Sequence, residues 1–156
     1  MNIRSIVLLA MLAARGLAQA ESVDALYAQG QQALPDGWKP LARTERAAVF
    51  VHRESRPVDG KLAVWVHSEL AAPEYFEKDM AYVSMRERML VDCKAERTGS
   101  AEWIAYPARF AGGTVVAREK RDKEMSDAVP DSLEAQLLKS VCAPKPRPPA
   151  PKPRPK

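Results

Sequence analysis

The chain contains two cysteines, Cys93 and Cys142, and their places in the sequence constrain its fold more than any other feature. Cys93 ends a predicted strand, residues 84–93, in which apolar and polar residues largely alternate. The mostly apolar face of this strand carries Met85, Met89, Val91 and Cys93. Cys142 ends a predicted helix, residues 133–142, whose apolar stripe consists of Leu133, Leu137, Leu138, Val141 and Cys142. The helix is therefore expected to pack on the strand, with the two cysteines facing each other.

Two facing cysteines form either a disulfide or a pair of buried free thiols. We favour the disulfide, because the N-terminal sequence described below predicts export to an oxidising compartment. The bond would close a loop of 49 residue steps, which the chain-entropy model values at about 4 kcal/mol of stability.

Residues 1–20 have the three parts of a secretory signal peptide. Arg4 supplies a positive charge, residues 6–14 form an apolar run, and Ala18-Gln19-Ala20 is a cleavage site of the A-x-A type. Cleavage there gives a mature chain that begins at Glu21 and is periplasmic, secreted or on the cell surface. The alternative is a short membrane anchor, but a span needs about 20 apolar residues and this run is shorter. Because residue 21 is not a cysteine, we do not expect a lipoprotein, and no transmembrane span is expected after cleavage.

Between the signal peptide and the last helix, the sequence predicts mostly strands. The segment 21–37 is expected to contain a short helix and to end in the turn Pro35-Asp36-Gly37. Strand-like stretches follow at 38–42, 47–52, 61–69, 84–93, 103–106 and 114–119. Turns or loops are expected between them at 56–60, 71–83 and 120–131. This pattern predicts an α+β fold, in which an antiparallel sheet of about six strands carries the C-terminal helix on one face.

Two details of this fold are left open by the residues themselves. The turn after the 84–93 strand lies either at 93–97 or at Thr98-Gly99-Ser100. The N-cap of the last helix is either Asp131, which has capping-box spacing to Glu134, or Ser132.

Residues 143–156 form a separate tail that contains seven of the 13 prolines. Because proline is its only apolar residue larger than alanine, the tail is predicted to be disordered and extended, as in polyproline II. Its basic residues are Lys145, Arg147, Lys152, Arg154 and Lys156. These five form a candidate polyanion-binding site for anionic cell wall or lipid head groups, and the alternative is a solubilising spacer. Without the tail and the signal peptide, 17 basic and 20 acidic residues leave a net charge of −3, which argues against a nucleic-acid partner.

No catalytic or cofactor-binding motif stands out in the sequence. His52 and His67 lie on neighbouring predicted strands. Three interpretations are possible for them: a metal-binding pair, a general base, or two histidines on the sheet surface. We favour the surface interpretation, because no ligand pattern of Cys, His or carboxylates surrounds either residue. The tryptophans Trp38, Trp65 and Trp103 would form an aromatic platform for a ligand or, as we favour, part of the core. No catalytic residue, metal or cofactor is predicted, and the chain is interpreted as a binding or structural module and not an enzyme.

From Trp38 to Cys142 the sequence resembles the surface-adhesin protein E-like domain family of Gram-negative bacteria. The segments that carry the resemblance are Trp38-Lys39, 49–52, 60–66, 90–93 and Leu133-x-x-x-Leu137-Leu138-x-x-Val141-Cys142. The two-cysteine frame with its terminal helix is the most specific of them. The resemblance implies a domain over 38–142 whose helix is tied to the sheet by Cys93 and Cys142. It also implies a turn at 93–97 and one strand at 98–106.

The family's name-giving activity is the binding of host extracellular-matrix and serum proteins from the bacterial surface. The resemblance implies an exported, non-enzymatic module that binds host or envelope macromolecules, although no ligand-binding residue can be transferred. One alternative is a periplasmic, envelope-associated structural protein anchored by its basic tail. The other is a small periplasmic enzyme or enzyme inhibitor.

Overall fold

The computed structural model describes residues 21–122 and 124–143. Two helices, α1 (Val23–Ala33) and α2 (Leu133–Cys142), lie at the two ends of this part of the chain. The strands between them are β1 (Trp38–Arg43), β2 (Ala47–Val58), β3 (Lys61–Tyr75), β4 (Ala81–Asp92), β5 (Arg97–Tyr106), β6 (Ala117–Lys120) and β7 (Ser126–Asp127). A 3-10 turn, Arg109–Ala111, lies between β5 and β6.

Two predicted segments fall outside the described residues. They are the signal peptide, 1–20, and the tail beyond Ala143 with its candidate site residues Lys145, Arg147, Lys152, Arg154 and Lys156. Within 21–122 and 124–143, no helix is long and apolar enough to cross a membrane.

All seven strands belong to one antiparallel sheet, in which β1 to β6 are neighbours in chain order. β7 pairs with the start of β5. β4 and β5 pair from Asp92 and Arg97 onwards, so the turn between them follows Asp92 directly. The antiparallel α+β fold is confirmed, and so is the turn position that the family resemblance implies.

The first face of the sheet carries the larger hydrophobic core and is covered by α2. Alternate residues of β2, β3 and β4 form it, among them Val49, Val51, Val64, Val66 and Val91. Leu137 of α2 is buried against this face, and the rest of the predicted helix stripe packs beside it. A disulfide between Cys93 and Cys142, with Cα atoms 5.6 Å apart, ties the end of α2 to the turn after β4. The predicted pairing of helix and strand is therefore confirmed.

Ser132 caps α2. Its hydroxyl accepts a hydrogen bond from the backbone N–H of Ala135 at 3.2 Å, which satisfies one of the open donors in the first turn. Asp131 instead has a φ of 61° and turns the chain just before the helix. The choice between the two predicted caps is thus resolved in favour of the serine.

The second face is covered at one end by α1. Leu26 and Leu34, within and just after α1, pack with Ala48 and Phe50 of β2. The helix can approach this closely because it presents Gly30 to the aromatic ring. A Cβ at position 30 would lie 2.3 Å from Phe50 Cζ, which is far inside van der Waals contact. The sheet therefore has a helix on both faces, where the sequence predicted a cover on one.

Two strands run through prolines at which we expected turns or loops. β2 continues through Pro57 to Val58, so the predicted turn 56–60 shortens to Asp59-Gly60. Both turn residues have positive φ, 49° and 75°, as in the type I′ hairpins that match strand twist. β3 continues past Pro73 to Tyr75 through a bulge, so most of the predicted loop 71–83 is strand. The predicted loop 120–131 likewise contains β7.

Tyr82 joins the first-face core to a polar group at its rim. Its ring is 9% exposed, and its hydroxyl donates to Glu74 Oε2 at 2.8 Å. Arg46 forms an ion pair with the same carboxylate. Burial first, and then the hydrogen bond to Glu74, raise the pKa of Tyr82 from its ordinary 10.0 to about 12.

Replacing Cys93 and Cys142 together by serine should lower the free energy of unfolding by about 2–5 kcal/mol, because the unfolded chain gains the freedom of the opened loop. Chemical denaturation of the oxidised wild type and the double variant measures the difference. The reduced wild type is the matched control and should unfold together with the variant. Identical unfolding midpoints for the variant and the oxidised wild type would contradict a stabilising role for the bond.

The second prediction concerns stability at alkaline pH. The folded chain holds the Tyr82 proton up to about pH 12, whereas an unfolded tyrosine releases it near pH 10.0. The stability linked to this group is therefore fully present below pH 10.0 and is lost as the pH rises to about 12. Ultraviolet titration of tyrosinate should show a late-titrating phenol among the four tyrosines. Persistence of that late step in a Tyr82→Phe chain would assign it to another residue.

Candidate ligand-binding groove

The part of the second sheet face that α1 leaves uncovered holds two adjoining cavities. One has a volume of 360 Å³ and is lined by Trp38, His52, Trp65, Arg86, Ile104 and Tyr106. The other has a volume of 340 Å³ and is lined by His52, Glu54, Arg56, Val58, Ala63, Trp65 and Arg88. His52 and Trp65 belong to both linings, so the two cavities form one continuous groove, called the groove below.

Strand register and one bulge bring the groove residues together. Trp65 of β3 pairs with Arg88 of β4, and Arg86 pairs with Ile104 of β5. Directly paired residues project to the same face, on strands about 5 Å apart. The β2–β3 register shifts between Val51 and Ser55, and this bulge contains His52 and Glu54. The groove is therefore built on paired strands of the sheet interior, with one wall set by the bulge.

Arg86 is held between two aromatic rings of the groove. Its guanidinium carbon lies 5.2 Å from the Trp38 ring centroid and 5.9 Å from the Tyr106 centroid, both within cation–π range. No carboxylate of residues 21–122 or 124–143 forms an ion pair with it, and its buried Nε has no hydrogen-bond partner there. Arg86 is thus a half-buried cation that is fixed in place by rings and not by an anion.

Arg88, in the adjoining cavity, has a carboxylate nearby that is already engaged by another residue. Arg88 Nε lies 3.9 Å from Glu102 Oε2, at the limit of an ion pair. Arg118 instead contacts Glu102 Oε1 with two nitrogens, each at 2.7 Å. Because Glu102 is mainly satisfied by Arg118, the guanidinium of Arg88 keeps most of its capacity to donate.

A buried polar cluster lies beneath the 3-10 turn, at the end of the second face away from the groove. His67 and Glu69 are both fully buried, and His67 Nε2 donates to Glu69 Oε1 at 2.6 Å. The backbone N–H of Phe110 donates to the same oxygen at 2.7 Å, and Arg109 Nη1 lies 3.6 Å from Glu69 Oε2. The backbone N–H of Ala111 donates to Ser84 Oγ at 3.0 Å. This cluster fixes the 3-10 turn to β3 and β4.

Arg109 connects that cluster to the N-terminal segment. Its Nε donates to Glu21 Oε2 at 3.0 Å, and its Nη1 donates to the carbonyl oxygens of Leu70 and of Val83, the latter at 3.1 Å. Arg109 thus joins three separate stretches of the sequence, and its role in the fold is structural.

The two histidines have different environments. His52 lines the groove, whereas His67 is buried, so the expectation of two sheet-surface histidines is wrong for His67. The Trp38 ring separates them, with centroids 5.1 Å from His52 and 5.5 Å from His67. Within the described part of the chain, no group of three or more His, Cys, Asp or Glu residues is placed to hold a metal ion.

The three tryptophans also divide between core and groove. Trp103 lies in the first-face core, as predicted, and its Nε1 donates to Glu119 at 2.9 Å. Trp65 is half-buried and lines the groove, so the core interpretation is wrong for it. Trp38 lines the groove and also packs against the core formed by Leu26, Leu34, Ala48 and Phe50. Cys93 and Cys142 form the predicted bond but do not line the groove.

The groove arginines were not singled out from the sequence, although a signal for them was present. Alternation along β4 puts Arg86 and Arg88 on the face opposite the helix. Alternation along β3 does the same for Trp65. Combining the two patterns required the β3–β4 register, which shifts at a bulge and depends on residues far apart in the chain.

Glu69→Gln tests the buried cluster. The amide keeps the shape and one acceptor oxygen, but it removes the charge that faces Arg109 and His67, so the free energy of unfolding should fall by about 1.5–3 kcal/mol. Glu77→Gln is the control, since Glu77 is exposed in the loop after β3, and it should change stability by less than about 0.5 kcal/mol. Equal unfolding midpoints for the two variants in chemical denaturation would show that the cluster does not stabilise the fold.

Comparison with known proteins gives a family and a fold. The family model of surface-adhesin protein E matches residues 38–143, and no match is found among curated proteins. Crystal form II of Haemophilus influenzae protein E is similar, with a TM-score of 0.57 and 18% identity, over 70% of this chain and 90% of that chain. Protein E from non-typeable Haemophilus influenzae has a TM-score of 0.56 and 17% identity, over 72% of this chain and 79% of that chain. At these identities the structures support the fold, while the family model covers more than half of the sequence, and this chain therefore belongs to the surface-adhesin protein E family.

Proposed function

We propose that this chain is an exported, non-enzymatic binding module that recognises host or envelope macromolecules through the groove. Family membership supports binding as its activity. The observation that carries the proposal is Arg86, a fixed cation between two rings without an ionic partner in the described residues. A guanidinium in this position is ready to form charge-assisted hydrogen bonds with an anionic group of a partner.

The proposal of a non-catalytic role rests on how the titratable groups are arranged. His67 and Glu69 have the composition of an acid–base pair, but both are fully buried, and Phe110 and Arg109 contact the two oxygens of the carboxylate. A substrate therefore has no path to them. His52 is accessible, but its Nδ1 already accepts a hydrogen bond from the backbone N–H of Glu54 at 3.3 Å. We infer that its role is to form the groove wall.

Export is proposed from the signal-peptide pattern of residues 1–20, and the Cys93–Cys142 disulfide supports an oxidising compartment. The mature protein would be periplasmic, secreted or on the cell surface, without a lipid anchor. N-terminal sequencing of protein from the envelope fraction and from the medium should find Glu21 first. An intact Met1 in those fractions would contradict cleavage.

A second candidate function is attachment to the envelope through the tail. Lys145, Arg147, Lys152, Arg154 and Lys156 carry five positive charges with no acidic residue between them in the sequence, and each would gain about 1 kcal/mol next to an anionic surface. Prolines between them would keep the tail extended and reduce the entropy that is lost on binding. Salt should weaken this attachment, because the charges would lie in water.

Retention assays separate the two functions. Wild type, Arg86→Gln and a variant with the five tail residues changed to glutamine are passed over immobilised host matrix proteins and over purified cell wall. The groove function predicts that Arg86→Gln loses retention by about 10-fold or more, whereas the tail function predicts this for the tail variant. Arg46→Gln, in an exposed ion pair outside the groove, is the control and should bind as wild type does. Retention of wild type on neither material would contradict both functions.

A further inference from the structure

We propose that the groove binds uronic acid units of an acidic polysaccharide in the host extracellular matrix, with Arg86 holding a carboxylate and Trp65 packing on a sugar ring. This inference rests on the proposed binding function and names the chemical class of its ligand. It depends on the charge of the groove, on its aromatic surface and on its shape.

The charge favours a carboxylate. A guanidinium has a planar pair of donors that matches the two oxygens of a carboxylate. The Trp38 and Tyr106 rings fix Arg86 before any ligand arrives, so little side-chain entropy is lost on binding. Since no carboxylate of the described residues neutralises Arg86, a ligand would supply its first ionic partner there.

The aromatic surface favours a sugar ring. Trp65 is half-buried and lines both cavities, and among residues 21–122 and 124–143 its indole stacks on no other ring or guanidinium. An indole face presents a flat apolar area with a polar edge. A pyranose ring has the complementary form, since its axial C–H groups form an apolar face and its hydroxyls point outwards. Trp65 is therefore placed to carry the ring, while Arg86 binds the acid group.

The shape favours a chain of units over one small molecule. The groove is open along the sheet, whereas pockets for small ligands usually enclose most of the ligand surface. Arg86 and Arg88 are two residues apart on one strand face, so their Cα atoms are about 7 Å apart. Each lies in its own cavity, with Trp65 shared between them. Two cations on long side chains suit a polymer that carries several carboxylates. Glu54 lies in the lining of the second cavity, and Glu102 lies 3.9 Å from Arg88.

An acidic peptide is the competing ligand, and the sheet does not favour it. Extended peptides gain affinity by adding a strand to a free sheet edge. The floor of the groove is formed by β3 and β4, which are paired on both sides in the sheet interior. Their backbone donors and acceptors are used, so a peptide would be held by its side chains alone.

Calorimetry on the purified full chain tests the proposal with a hyaluronan hexasaccharide, in which glucuronate carboxylates are the only charges. Two comparison probes are the same hexasaccharide with its carboxylates methyl-esterified and a hexaglutamate peptide. We expect saturable binding of the hexasaccharide with quenching of tryptophan fluorescence, and at least about 10-fold weaker binding of both comparison probes.

Variants locate the binding within the chain. Arg86→Gln should weaken hexasaccharide binding by about 10- to 100-fold, the usual effect of removing one charge-assisted hydrogen bond. Trp65→Leu should weaken binding of the acid and of its ester alike, because it removes ring packing and not charge. Arg46→Gln is matched in charge and lies outside the groove, so it should leave affinity unchanged. All four proteins keep the same basic tail, so differences among them belong to the domain.

Three results would overturn the inference. Equal affinity for the acid and its methyl ester would exclude carboxylate recognition, and tighter binding of hexaglutamate with the same dependence on Arg86 would make the groove a peptide site. Unchanged hexasaccharide affinity in Arg86→Gln would place binding elsewhere. The matrix-protein retention assay is independent of these probes. Retention that depends on Arg86 without hexasaccharide binding leaves the proposed function in place and rejects only this ligand class.

Discussion

The carboxylate of Glu69 lies fully buried within a sheet face, and its need for donors and positive charge organises the chain around it. Removing a carboxylate from water costs several kcal/mol unless hydrogen bonds and a counter-charge replace the solvent. His67 and the backbone N–H of Phe110 are hydrogen-bonded to Oε1. The guanidinium of Arg109 lies 3.6 Å from Oε2 as the counter-charge, and Oε2 has no hydrogen-bond partner among the described residues. Arg109 also binds Glu21, before α1, and carbonyl oxygens of β3 and β4. A single buried charge thus accounts for the positions of the 3-10 turn and of the N-terminal segment.

The groove begins where the cover formed by α1 and the 3-10 turn ends. α1 lies over Phe50, and the chain then reverses at Gly37, whose φ of 107° suits glycine. A Cβ at Gly37 would be 2.6 Å from His52 Nε2, so this turn lies directly against the His52 ring and backs the groove wall. Trp38 follows and packs on both histidines. Trp38 and the His52 ring are therefore held in place by the segment that follows α1, and such preorganised groups lose little entropy on binding.

The features that were predictable from sequence depend on local patterns and on one covalent link. Apolar alternation on β4, the α2 stripe and the two cysteines were sufficient to pair helix with sheet. The burial of His67 was not predictable, because strand alternation places it between Trp65 and Glu69 on the more polar face of β3, which is expected to face solvent. The rings of Trp38 and Phe50 cover His67, with centroids 5.5 Å and 6.3 Å away, and both come from other strands. Pro57 and Pro73 also led to wrong predictions, because proline weakens a strand in general but is tolerated on a sheet edge or within a bulge. Pro57 lies in the part of β2 that β1 does not pair, and Pro73 lies in the bulge of β3.

The groove and the start of the tail lie on opposite sides of the sheet. α2 packs on the first face and ends at the disulfide-bonded Cys142, whereas the groove opens on the second face. Residues 21–142 have a net charge of −3, so the positive charge that Arg86 and Arg88 place in the groove is a local feature of the domain. If both proposed sites act, attachment of the tail to one surface would raise the effective concentration of the groove near that surface, because Cys142 joins the tail directly to the same domain.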